Sequence, residues 1–79
     1  MSESVMPLSV IGEGSLGRVA ELDFTGAMRR RLLDMGLIPG ARVECLQKSP
    51  SGDPVAYLIR GAVIALRRED SSRILINRC

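Results

Sequence analysis

MRRRLLDMGLIPG, residues 28–40, reads as the closing turns of a helix, a glycine stop and a turn that launches a strand. Met28, Leu32 and Met35 recur at i, i+4 and i+7 and so share one helical face, while Leu33 widens that apolar stripe. Gly36 falls just past the helix, where the chain must turn left-handed and only a residue without Cβ does so cheaply. This placement makes Leu37 and Leu32 the pair whose contact accompanies a Schellman stop. Pro39-Gly40 suits the centre of a type II turn, proline presetting φ and glycine allowing the positive φ that follows. The stretch is a built corner, with Gly36, Leu37, Pro39 and Gly40 as its turn residues.

Arg29, Arg30 and Arg31 are harder to explain by stability. They are expected towards the N-terminal side of the helix, where the macrodipole disfavours cations. Asp34 follows Arg30 by four, the weaker order for such a pair. At ~100° per residue, Arg30 and Asp34 point away from the apolar face, and Arg29 and Arg31 flank its edges. Two readings follow. One is a solvated rim whose stems cover the core edge. The other is a contact surface for an acidic partner, with Arg29 and Arg31 beside Leu33 and Met35, a composition common at interface hot spots.

Working outward, residues 41–47 alternate, with Ala41, Val43 and Cys45 on one face and Arg42 and Glu44 on the other. Residues 49–54, SPSGDP, are turn chemistry throughout and predict a mobile hairpin loop. Residues 55–59 form a strand with Val55, Tyr57 and Ile59 on one side. Arg60-Gly61 is short enough for a tight hairpin, and 62–66 return with Ala62, Ile64 and Leu66 aligned. Residues 67–72 suit a single helical turn, and Ile74 and Ile76 close the chain in a last strand. Upstream of the corner, residues 1–6 read as a flexible start and 8–11 as an edge strand after Pro7. Residues 18–23 alternate poorly but carry Val19, Ala20 and Leu22, and Thr25 is a candidate N-cap. The glycines of GEGSLG, residues 12–17, read as a plain turn. No Lys-Ser/Thr pair follows, and the next segment is a strand where a phosphate-binding loop would open a helix.

The 79 residues are one domain with a thin core. The expected fold is mainly β: a small antiparallel barrel of five to six short strands with one α-helix, closed so that no edge is left exposed. A helical turn before the last strand fits a Src-homology-3-like barrel. A net charge of +2 is too mild to imply nucleic acid, and the 3% aromatic content argues against base-stacking platforms and proline-rich-peptide grooves. No apolar run is long enough to span a bilayer and no secretory signal is recognisable, so direct membrane insertion is not expected and the location is read as cytoplasmic. The chain has no histidine, removing the commonest general base and nitrogen ligand. Two cysteines, Cys45 in a strand and Cys79, are too few for a closed thiolate site or a disulfide framework. Neither an enzyme nor a tight metal or cofactor site is expected.

RRLLDMGLIPG, a loop with Gly52-Asp53-Pro54, and IRGAVIALRREDSSRI together resemble the FeoA family over residues 8–76. The matching positions include residues 30–37, Pro39-Gly40, Arg60-Gly61 and residues 65–68. The resemblance implies a Src-homology-3-like barrel serving as a cytosolic accessory of bacterial ferrous-iron transport, with the membrane transporter FeoB as its partner. It leaves open whether such a protein adjusts nucleotide turnover, assembly or gating, and whether it forms a weak homo-oligomer. The same barrel resembles the C-terminal domain of iron-dependent repressors. An alternative is therefore a stand-alone sensor domain with weak divalent-metal binding through carboxylates; these residues carry no DNA-binding segment. A third reading, an RNA-binding barrel using the arginine run, predicts a steep salt dependence.

Overall fold

The computed structural model describes residues 5–79. The expected flexible start lies partly outside them, and Val5 and Met6 are paired in a strand instead. Along the chain come β1 (Val5–Pro7), a 3-10 turn (Leu8–Val10), β2 (Leu16–Leu22), α1 (Gly26–Asp34), β3 (Arg42–Lys48), β4 (Val55–Ile59), β5 (Ala62–Leu66), α2 (Arg68–Ser71) and β6 (Ile74–Arg78). One antiparallel sheet takes the order β1-β6-β2-β3-β4-β5.

The expected strand at residues 8–11 is a 3-10 turn. Leu8 and Ile11 are three apart, which sets both on one side of such a turn, and both are buried. The poor alternation of residues 18–23 has a cause: the β2–β6 register shifts between Val19 and Glu21. That bulge lets Val19 and Leu22 both face inward although they are three apart. A second shift, between Cys45 and Gln47, bends β3 against β4. The two bulges coil the sheet over its core, in the manner of a Src-homology-3 domain.

The barrel is not closed. β1 and β5 stand at the two ends of the sheet without pairing to each other. β1 has only three residues, and its last, Pro7, has no N–H, so it offers too short a ladder for closure. The core gathers Val43, Cys45, Tyr57, Ile59, Ile74 and Ile76 from the sheet with Leu32 and Leu37 from the corner, each at most 1% exposed. Burying each such aliphatic side chain stabilises the fold by roughly 1.5–3 kcal/mol.

Candidate functional site

The corner is closed by main-chain hydrogen bonds. Met35 caps α1, and Gly36 follows at φ +106°. Gly36 N–H donates to Leu33 C=O at 3.0 Å and Leu37 N–H to Leu32 C=O at 3.1 Å, the two bonds of a Schellman motif. Ala41 N–H donates to Ile38 C=O at 3.0 Å around Pro39 and Gly40, with Gly40 at φ +88°. Gly40 N–H reaches Val19 C=O at 2.7 Å, tying the corner to β2. Thr25 has N-cap backbone geometry, but its side chain makes no cap hydrogen bond.

α1 is nine residues long, and this corrects one expectation. Arg31 lies in the last turn, where the macrodipole favours a cation, so a dipole penalty is left at most to Arg29 and Arg30. All three arginines are exposed. Among the described residues the ion pair present joins Arg73 to Asp23, at 3.9 Å, with the Arg73 guanidinium over the Phe24 ring. Arg29, Arg30, Arg31 and Asp34 therefore form no ion pair there. Leu33 and Met35 are half-buried and pack against the core, offering part of their surface beside Arg29 and Arg31. Ile38, 39% exposed at the tip of the corner, was not singled out in the sequence; its place between Leu37 and a proline turn was the available signal.

A second group was not legible in the sequence. Arg18 on β2 stands opposite Arg42 on β3, two like charges in register. Arg42 lines a cleft of ≈ 510 Å³ with Glu44, Leu16, Leu58 and the Arg60-Gly61 hairpin, and the corner supplies Gly40 and Ala41. Arg18 Nη1 donates to Gly40 C=O at 3.0 Å, while Asn77, its neighbour on β6, keeps a buried Oδ1 without a hydrogen bond. The alternation of β3 placed Arg42 outward; only the cross-strand register reveals its neighbours.

Two buried reactive groups, Cys45 and Tyr57, are held quiet. Burial pushes the Cys45 thiol above its ordinary value, which keeps it protonated and a poor ligand or nucleophile. Burial likewise raises the Tyr57 phenol, with the Ser71 hydroxyl partly offsetting it. Two carboxylates serve the backbone: Glu13 accepts from Lys48 N–H and Asp53 from Arg68 N–H, each at 2.8 Å. Among the described residues no group of three His, Cys, Asp or Glu side chains could hold a metal ion, and no helix is long and apolar enough to cross a membrane.

The FeoA domain family matches residues 6–78. The Fe(2+) transport protein A/Fe(2+) transporter FeoB fusion protein of Porphyromonas gingivalis is 35% identical over 87% of this chain, which spans 8% of that protein's length. The solution structure of FeoA from Chlorobium tepidum is 33% identical, with a TM-score of 0.87 over 92% of this chain and 70% of that one. The crystal structure of Stenotrophomonas maltophilia FeoA complexed with zinc, described as a procaryotic SH3 domain protein, is 25% identical. Its TM-score is 0.81 over 91% of this chain and 89% of that one. With its corner, its coiled open sheet and a match over almost all of its length, the chain belongs to the FeoA domain family.

Proposed function

We propose that the chain serves ferrous-iron transport as a non-catalytic accessory protein that binds the cytosolic side of the transporter FeoB. The observation that carries this reading is the fusion protein of P. gingivalis, in which a similar domain and FeoB share one polypeptide. Fusion holds the two parts at a high effective concentration, which favours contact between them. The surface favoured for that role is the exposed side of α1, where Arg29 and Arg31 form no ion pair among the described residues and Leu33 and Met35 are half-buried. Guanidinium groups beside aliphatic surface suit a partner patch that carries carboxylates.

The test is co-purification with the cytosolic domain of FeoB from the same organism. The unaltered chain is expected to be retained, and Arg29→Glu/Arg31→Glu is expected to lose retention while keeping its melting temperature. A folded double variant that still binds would remove α1 from the surface. Failure of the unaltered chain to bind would remove the transporter reading. Calorimetry with ferrous iron or zinc in reducing buffer is expected to show no tight site; a sub-micromolar site would move the reading to a metal sensor.

A further inference from the structure

β5 is the sheet's second edge, and its sequence does nothing to protect it. β1, the other edge, is three residues long and ends in a proline. β5 reads AVIAL, five uncharged residues in unbroken register with β4. Natural edge strands are usually blunted by charge, proline or a bulge, and here none is present.

The register fixes which groups face out. The two-residue Arg60-Gly61 loop makes Ile59 and Ala62 a hydrogen-bonded pair, so Tyr57/Ile64 and Val55/Leu66 are the others. Leu58/Val63 and Ala56/Ala65 are the non-bonded pairs, which points the N–H and C=O groups of Val63 and Ala65 away from β4. Among the described residues no hydrogen bond from another element or loop reaches these four groups. Val63 is 67% exposed, and Ala65 is exposed as well. Beside them, Ala56, Ala65, Pro54 and Lys48 line a depression of ≈ 240 Å³ that could seat a side chain of an added strand.

We propose that the β5 edge accepts an extended segment of a protein partner as a seventh strand, a short apolar run flanked by carboxylates. Main-chain pairing along an open edge is a recurrent mode of peptide recognition. Charge decides the occupant. Arg60 precedes the strand, Arg67 and Arg68 follow it, and all three are exposed and outside any ion pair among the described residues. A second copy paired antiparallel about Ile64 would set Val63 against Ala65, and with them Arg60 against Arg68. Three cations from each copy would then crowd one seam, and like charges across a ladder repel. A strand with acidic ends meets the same cations with opposite charge. This surface is carried by a different element from the α1 patch and does not depend on the identity of the transporter.

The experiment uses the full chain, isotopically labelled, with the peptide DEVTVTVED as probe and KKVTVTVKK as control. In the free protein the Val63 and Ala65 amides are expected to exchange fast. With the acidic peptide at ~1 mM both are expected to slow by about tenfold, with Ile64 unchanged and with no protection from the basic peptide. Val63→Pro removes one outward N–H while sparing the β4 ladder, and Ala65→Glu sets an acid on the edge that repels the carboxylates of the incoming strand; either is expected to abolish protection without lowering the melting temperature. Should one variant unfold, the other carries the test. Four outcomes overturn the proposal: no protection by the acidic peptide, equal protection by the basic one, slow exchange in the dilute free protein, or protection that grows with protein concentration alone.

Discussion

Arg60 lays its stem across Gly36: a Cβ on Gly36 would stand 2.9 Å from Arg60 Cδ and 3.5 Å from Ile59 Cγ2. The helix stop and the β4–β5 hairpin are thus packed on each other, and Gly36 is held to glycine by its φ of +106°, the flexible Arg60 stem being the lesser obstacle. Gly36→Val is expected to cost on the order of 1–3 kcal/mol, read from urea unfolding. In a double-mutant cycle, Arg60→Ala should return only about 0.5 kcal/mol of that loss, because the backbone strain stays. An unchanged midpoint for Gly36→Val would refute the account.

Arg60 is itself left-handed, at φ +50°, in the first position of a two-residue hairpin loop where Asn-Gly is favoured. Arg60→Asn should raise stability by roughly 0.5–1 kcal/mol, since asparagine visits this region at lower cost. A fall in the thermal midpoint would mean that the Arg60 stem contributes more by packing than its backbone strain costs.

Reversing the charge at Arg29 and Arg31 should leave stability within about 0.5 kcal/mol, because an acid gained early in α1 is offset by a cation lost from its last turn. Thermal melts at low salt check this, low salt being where dipole effects are largest. A loss of several kcal/mol would show these side chains to be structural.

The fold should weaken in alkali. Burial raises Cys45 above the ordinary thiol value of 9.0. Burial also raises Tyr57 above the ordinary phenol value of 10.0. In both cases the unfolded chain ionises first, so stability is fully present below the unfolded value and is lost as pH climbs towards the folded one. The slope reaches about 1.4 kcal/mol per pH unit for each group. Melts between pH 7 and 11 should be flat until near pH 9. Cys45→Ala should shift the onset upward towards the range of Tyr57, whatever it costs in packing.

The sequence was most legible where local chemistry admits one residue type. The tight hairpin at Arg60-Gly61 and the inward sets of β3 and β4 follow from turn preferences and period-two alternation, and the structure has them. Residues 8–11 were misread because three apolar residues in a run of four are too few to show a period, and the pairing that decides the matter runs from β1 to the distant β6. Closure was misread because it depends on the lengths of two edges that never meet. On α1 the error was one of boundaries: a short helix leaves Arg31 at its far end. The Arg18–Arg42 pair was invisible because register between strands is set by the fold as a whole.

β6 lies between β1 and β2, although it is the last strand in the chain. Its place has a consequence in time. β3, β4 and β5 can assemble through successive neighbouring hairpins, whereas β1 has no partner, and β2 lacks one on that side, until Ile74–Arg78 arrives. More than half the chain separates Val19 from its partner Ile76, so a long loop must close before that pairing is rewarded. Refolding is then set by topology and belongs in the range of about milliseconds to seconds. On the ribosome, β1 and the outer side of β2 would stay unpaired until residues 74–78 emerge.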